Sequence, residues 1–208
     1  MVSPPPDPIP GPAGNAYDKY ASPRRLEQLL LRRFLATLDA ALPARPPRRV
    51  LEVGMGEGVV AERVRARYPG AAVAGIDLAG ERLGAPWRAR GLAGVAADAG
   101  RLPFPPDTFD LVLAIEVLEH LRGPEAALGE VARVGRHAVI LSVPCEPLWR
   151  LGNLVMGRYR SHAGNTPGHV QHWSAGAFRR LVARHLTVDA VRRPLPWTLL
   201  GARVPAPG

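Results

Sequence analysis

The residues best suited to chemistry are carboxylates placed around a short run of glycines. Glu52 stands two positions before Gly54, and Gly54, Gly56 and Gly58 alternate with other residues. Glycine is needed where the backbone takes a positive φ or where a ligand presses against it, and a helix start offers unpaired N–H groups. A carboxylate beside such a loop repels a phosphate and attracts a positive charge. The segment therefore indicates a site for a small polar molecule with cationic groups.

Two details separate this loop from one that binds a dinucleotide. The dinucleotide fingerprint has its third glycine three positions after its second, where this chain has Val59. It also holds a pyrophosphate, which Glu52 would repel. S-adenosylmethionine carries a sulfonium and an ammonium group, so it fits this carboxylate better than a dinucleotide does.

Further acids end the next strand-like stretches. Residues 72–77 end in Asp77, 21 positions after Gly56, near the roughly 20-residue spacing at which a second-strand carboxylate meets a ribose diol. Residues 94–98 end in Asp98, and residues 107–116 form a nearly continuous apolar run, as expected for a strand buried on both faces of a parallel sheet. Asp77 is the candidate ribose ligand.

With these motifs in this order, the chain resembles the class I S-adenosylmethionine-dependent methyltransferases from about Tyr17 to Val204. The resemblance implies an α/β fold, a Rossmann-like seven-stranded, mostly parallel sheet with an antiparallel last strand and helices on both faces. It implies that Asp77 binds the ribose hydroxyls, that Asp98 meets the adenine amino group and that the glycine loop lies under the methionine part. The implied cofactor contacts are Tyr20, Glu52, Gly54, Gly56, Gly58, Asp77, Leu78, Asp98, Ala99 and Glu116.

The remaining elements follow from periodicity and end signals. A helix is predicted from Ser22, which can cap it, to Leu42, because leucines recur at helical spacing and Pro23 suits a first turn. The pattern also predicts helices at 59–68, 124–134 and 174–185, and strands at 50–53, 137–143, 186–192 and 197–204. The last two strands should form an antiparallel return.

The chain divides into a tail and one domain. Residues 1–16 are rich in proline and predicted to be disordered. Residues 17–208 are predicted to form a single domain, since a hydrophobic content of 47% supports a full core. Tyr17 to Tyr20 resembles an N-terminal lid that closes over the cofactor. The alternative is that the two tyrosines staple a helix to the sheet.

Residues 144–173 are too long for a plain connection and should be a functional insertion. They leave the fifth strand at the edge where open α/β sheets bind ligands, so we expect them to cap the acceptor pocket. The alternative is a lid helix with a structural tail. Leucines from Leu148 onward, with Val155 and Met156, form a possible apolar face above the methyl donor. The candidate substrate contacts are Trp149, Arg150, Arg158 and Trp173, and the candidate general bases are His169 and His172.

The segment after the fourth strand has a second interpretation. The spacing of Glu116, Glu119 and His120 predicts that they share one helical face. Some relatives, the small-RNA 2′-O-methyltransferases and the O-methyltransferases of ubiquinone synthesis, hold a divalent metal with this pattern, in the former with a later histidine. His169 or His172 would supply that histidine. We predict no metal here and keep a metal-dependent O-methyltransferase as the alternative.

Composition limits the possible partners. The net charge is +9, and almost all the positive charge is arginine, Lys19 being the only lysine. No stripe of basic residues with interleaved aromatics appears, so no nucleic acid is expected; the charge indicates a solvated surface or an acidic small substrate. No run approaches the roughly 18 apolar residues of a membrane span. The lone Cys145 excludes an intrachain disulfide and a cysteine-built metal site.

These observations predict a cytoplasmic enzyme, because the N-terminus lacks the pattern of a secretory signal. The predicted reaction is methyl transfer from S-adenosylmethionine to a small molecule such as a natural product, a sugar or a lipid-linked intermediate. A noncatalytic partner subunit with a nucleotide-binding fold is the runner-up. Intact Glu52, Asp77 and Asp98 argue against it, and Glu52 with Val59 argues against an NAD-binding protein.

Overall fold

A computed structural model describes residues 24–78, 84–155, 157, 159 and 162–206. Its described strands form one seven-stranded sheet in the order β3-β2-β1-β4-β5-β7-β6. β7 runs antiparallel to β5 and β6, and the other pairs are parallel. The predicted fold class is therefore confirmed. The strands are β1 (Arg49–Val53), β2 (Ala72–Asp77), β3 (Ala93–Ala96), β4 (Phe109–Ile115), β5 (Gly135–Pro144), β6 (Thr187–Arg192) and β7 (Trp197–Arg203).

Helices cover both faces of the sheet. On one face, Phe34 and Leu38 pack with Val60 and Val64 over the central strands. The other face carries a larger cluster that includes Leu128 and its neighbours on two further helices. The helices are α1 (Arg25–Ala41), α2 (Val59–Arg67), α3 (Gly84–Ala89), α4 (Pro124–Val134), α5 (Leu148–Val155) and α6 (Ala175–Val182), with a 3-10 turn at Leu118–His120.

The element boundaries differ from the predicted ones mainly at the ends. β4 begins at Phe109 because Asp107 has a φ of 51° and the amides at 107 and 108 bond to the end of α4. Ser174 caps α6 as predicted, its hydroxyl accepting the Ala177 amide at 3.3 Å. The predicted cap at Ser22 lies outside the described residues. α3 has no counterpart in the sequence prediction, because Gly84 and Pro86 interrupt any helical pattern there.

The prediction that Glu116, Glu119 and His120 share a helical face is wrong. Glu116 has a φ of 57°, which ends β4 in a left-handed conformation, and only residues 118–120 form a 3-10 turn. Glu119 is 1% exposed whereas His120 is exposed. In a 3-10 turn the residues three apart share a face and neighbours do not, so Glu119 and His120 differ in exposure although a ligand atom of each lies within 4.8 Å of the other.

The insertion contains a helix, α5, of eight residues. The predicted apolar face above the methyl donor is only partly consistent with it. Leu151 is 57% and Val155 80% exposed, so these side chains point outward, and Met156 lies outside the described residues.

Candidate functional site

The glycine loop follows β1 at the carboxyl edge of the sheet, where the strand order reverses between β1 and β4. Gly54, Gly56 and Gly58 have φ values of 71°, 51° and 82°. A methyl group added at Gly54 would overlap Val117, and one at Gly58 would overlap Leu92. Both backbone conformation and close packing therefore require glycine at these two positions.

Two side chains hold the middle of this loop. The Gly56 amide donates to Asp77 Oδ2 at 2.7 Å, and the Gly56 carbonyl accepts the indole N–H of Trp87 at 2.7 Å. The other carboxylate oxygen, Asp77 Oδ1, accepts the Leu78 amide at 2.7 Å. Each carboxylate oxygen has two lone pairs. Asp77 can therefore order the loop and still accept hydroxyl groups of a ligand.

Burial affects the ionisation of Asp77. It raises the pKa of the carboxyl above its ordinary value of 3.8, and the negative charge of Glu57 adds to this. The amide hydrogen bonds from Gly56 and Leu78 and the nearby His120 oppose the increase without cancelling it. The charged form, which is the stronger acceptor, is lost at a higher pH than in an ordinary aspartate.

The other predicted cofactor residues lie at the ends of neighbouring strands. Asp98 is exposed and accepts the Gly100 amide at 2.8 Å, which shapes the turn after β3, while Ala99 is buried. Glu52 is a β1 residue, 3% exposed, beside Gly75 of β2. The Glu116 amide donates to the Ser142 carbonyl at the end of β5. Tyr20 lies outside the described residues.

The insertion adds Trp149 and His169 to a continuous set of ring contacts. We call Phe34, Trp197, Trp149, His169 and His120 the ring series. Successive ring centroids are 5.1, 5.6, 6.0 and 4.9 Å apart. The ring series runs from α1 across β7 and α5 to the 3-10 turn, whose last residue interacts electrostatically with Asp77. The accessible rings of the series, Trp149, His169 and His120, form an aromatic wall that ends near Asp77. Phe34 and Trp197 are 1% and 6% exposed and support this wall from the core.

His120 has a defined tautomer in this arrangement. Its Nδ1 lies 3.0 Å from the Gly168 carbonyl, and because a carbonyl only accepts, Nδ1 carries the hydrogen. The neutral ring then has its lone pair on Nε2. Ligand atoms of Glu119, His120 and His169 all lie within 4.8 Å of one another. One carboxylate and two imidazoles can share a proton or hold a cation there.

The predicted substrate residues take different places. Trp149 donates its indole N–H to Thr166 at 2.9 Å, and Arg150 Nε donates to the Ala163 carbonyl at 3.2 Å, so both tie α5 to the returning chain. Trp173 packs on Phe178, with ring centroids 5.8 Å apart, and joins the core on the other face. Arg158 lies outside the described residues.

The two predicted bases also differ. His169 is half-buried within the ring series. His172 is exposed, and its Nε2 donates to Asn165 Oδ1 at 2.8 Å. Sequence reasoning missed Trp87, which bonds to Gly56, and the core rings Phe34 and Trp197 that support Trp149, because these apolar positions come together only in the folded chain. His120 was considered only as a metal ligand.

Comparisons with known proteins agree with this geometry. A family model described as "Methyltransferase domain" matches residues 51–143. The demethylmenaquinone methyltransferase of Thermus thermophilus is 36% identical over 152 residues, which cover 69% of this chain and 68% of that protein. The malonyl-[acyl-carrier protein] O-methyltransferase of Geobacter sulfurreducens is 34% identical over 125 residues, 57% of this chain and 44% of that protein. The chain thus spans less than half the length of that second relative.

A solved structure has the same fold. The magnesium protoporphyrin IX methyltransferase of Synechocystis PCC 6803, with bound SAH, matches with a TM-score of 0.65 and 18% identity, over 89% of this chain and 90% of that one. The chain belongs to the class I S-adenosylmethionine-dependent methyltransferases. It is an enzyme whose cofactor is S-adenosylmethionine, as predicted. None of the described helices is long and apolar enough to cross a bilayer.

Proposed function

We propose that the chain transfers the methyl group of S-adenosylmethionine to a small-molecule acceptor held between the glycine loop and the insertion. The accessible part of the ring series carries this proposal, because it forms an aromatic wall that ends at His169 and His120, and His120 lies near Asp77. Ring-shaped or acyl acceptors suit such a wall. The relatives support small acceptors, since their names refer to demethylmenaquinone and to a malonyl group on a carrier protein.

The proposed mechanism is in-line attack of the acceptor on the sulfonium methyl. Positioning is the main contribution of the protein, since aligned reactants gain about 7–11 kcal/mol from proximity. If the acceptor is a hydroxyl, a base beside it contributes about 10²–10⁴-fold. His169 is the favoured base because it is half-buried in the ring series, and His120 Nε2 is the nearest second acceptor of a proton.

A panel of acceptors tests this function. We expect S-adenosylhomocysteine to form when the enzyme is given S-adenosylmethionine with quinols, phenols or carboxylic acids, and mass spectrometry should show one added methyl group in the acceptor. Asp77→Ala run with the same panel gives the background rate. Methyl transfer to RNA or protein, with none to any small molecule, would contradict the proposal.

A metal-dependent O-methyltransferase is the second candidate, because Glu119, His120 and His169 converge. The sequence pattern also included Glu116 as a candidate ligand, but Glu116 does not belong to this cluster. The donors suit Mn²⁺ or Zn²⁺ better than Mg²⁺, which prefers oxygen. The His120 Nδ1 bond to Gly168 would orient Nε2 toward such an ion. A bound divalent metal would polarise the oxygen of an acceptor.

Chelation separates the two candidates. Because the base and the aromatic wall need no ion, we expect methyl transfer to survive EDTA followed by removal of the chelator. Turnover is measured before and after, and His120→Ala is treated in parallel. Lost activity that Mn²⁺ restores in the wild type but not in His120→Ala would establish the metal-dependent function instead.

A further inference from the structure

Exposed aliphatic side chains gather on one part of the surface. Several large apolar residues near the carboxyl edge of the sheet are 39% to 80% exposed. Exposed apolar side chains that lie together mark an interaction site more often than scattered ones do. We call these residues the apolar rim: Leu26 and Leu29 of α1, Leu148, Leu151, Leu154 and Val155 of α5, and Leu195 in the turn before β7.

Packing places these three segments side by side. The Trp197 ring contacts both Phe34 of α1 and Trp149 of α5, and Leu195 stands two positions before it. The far end of α1 is fixed at the amino edge, since the Tyr68 hydroxyl at the end of α2 donates to the Pro43 carbonyl. The first turns of α1 therefore lie toward the carboxyl edge, near α5.

The inner face of α5 is already occupied. Trp149 packs in the ring series, and Asn153 is 4% exposed with its Nδ2 donating to the Gly164 carbonyl at 2.9 Å. Leu148, Leu151 and Val155 follow at positions i, i+3 and i+7 on the opposite side. The outward side chains of Leu148, Leu151 and Val155 are thus not part of the described core.

Positive charge accompanies these leucines. Arg25, Arg32 and Arg33 are exposed on α1 beside Leu29, and exposed Arg193 is close to Leu195. Within the described part of the chain, none of these four arginines forms an ion pair with a carboxylate. Aliphatic side chains flanked by exposed arginines match the interface of an anionic bilayer, which combines acyl chains with phosphates.

We propose that the apolar rim docks on an anionic lipid surface, with its leucines among the headgroups and its arginines on the lipid phosphates. Docking does not depend on the methyl-transfer function. A consequence for the acceptor rests on the proposed function. If the docked chain also transfers methyl groups, its acceptor pocket opens toward the membrane and admits an acceptor with an apolar tail.

Sedimentation with vesicles tests the docking. The full chain should bind vesicles of phosphatidylcholine with phosphatidylglycerol, bind phosphatidylcholine alone weakly, and dissociate as salt rises. Arg25→Gln and Arg32→Gln should each weaken binding about fivefold. Leu151→Ser combined with Val155→Ser should weaken it about tenfold.

Matched controls lie elsewhere on the surface. Val95→Ser on β3, where the side chain is 44% exposed, and Arg136→Gln at the exposed start of β5 should bind vesicles like the wild type. S-adenosylhomocysteine binding, measured for every variant, shows that each is folded. Normal cofactor binding without vesicle binding would reject docking and leave the methyltransferase function intact.

Three other results would overturn the proposal. One is that the chain binds both vesicle types equally and that the rim variants bind them as tightly as the wild type does. The second is a wild-type dimer that the Leu151 and Val155 substitutions dissociate, which would mean that a second copy covers the rim. The third is that RNA displaces the vesicles and binds the chain more tightly than they do, and that Arg25→Gln weakens RNA binding whereas the Leu151 and Val155 substitutions do not. That result would assign the arginines to nucleic acid.

Discussion

Asp77→Ala is expected to weaken S-adenosylhomocysteine binding by on the order of 1.5–3 kcal/mol, which is tenfold to more than a hundredfold. The substitution removes the proposed acceptor for the ribose hydroxyls and also the oxygen that holds the Gly56 amide, so it should loosen the loop under the ligand. Isothermal titration calorimetry measures the change. NAD should not bind, because Glu52 and Val59 leave no place for a pyrophosphate.

Asp110 offers a matched control. Its Oδ2 also accepts two backbone amides, from Arg48 at 2.8 Å and Arg49 at 3.0 Å, but at the amino edge of the sheet. Asp110→Ala should therefore leave cofactor affinity unchanged. An equal loss in both variants would show that Asp77 acts through general stability, and tighter binding of NAD than of S-adenosylhomocysteine would reject the assigned site.

The raised pKa of Asp77 adds a pH dependence to the same experiment. Burial favours the neutral carboxyl in the folded state, so this group stabilises the fold at a pH below 3.8 and loses that contribution as pH rises through its folded pKa. The charged carboxylate is the stronger hydrogen-bond acceptor, so the proposed binding of the ribose hydroxyls should change with pH in the opposite direction. Affinity in the wild type should fall on acidification from neutral pH, and the affinity of Asp77→Asn should change less.

The sequence predicts the parts of this protein that depend on local pattern. The strand that ends in Asp77, the glycine turn and helix α4 could all be predicted, because hydrophobic period and glycine spacing are local signals. The 3-10 turn could not, since the left-handed conformation of Glu116 is a property of the folded strand end. α3 could not be predicted either, because Gly84 and Pro86 interrupt the helical pattern. The helix is held instead by tertiary contacts of Trp87, which packs over Gly94 and bonds to Gly56.

The ring series shows the same limit at the site. In the sequence, Phe34 has the pattern of a core position in an amphipathic helix, and Trp197 that of the first residue of a strand. The pairing of β7 with β5 brings them to Trp149 in the folded chain. The insertion could be located from its length and its position after β5. Which of its side chains face the site depends on hydrogen bonds such as Trp149 to Thr166, which no spacing rule predicts.

His169→Ala is expected to lower turnover about 10²–10⁴-fold while leaving the affinity for S-adenosylhomocysteine nearly unchanged. A base acts only as the acceptor loses its proton, so its removal raises the barrier without weakening the cofactor. The pH dependence of the wild-type rate that comes from this base should be absent in the variant. Steady-state kinetics across pH and calorimetry on the same protein measure both effects.

The position of His169 between two rings requires a variant that keeps the packing. His169→Phe retains a ring against Trp149 and His120 but has no proton acceptor, so it should be as slow as His169→Ala. His172, exposed and bonded to Asn165, should give a smaller loss with an unchanged pH profile when replaced by alanine, and His137→Ala at the exposed amino edge should give none. Wild-type turnover in His169→Phe would mean that the ring only shapes the wall, and proton removal would then belong to His120 or to solvent.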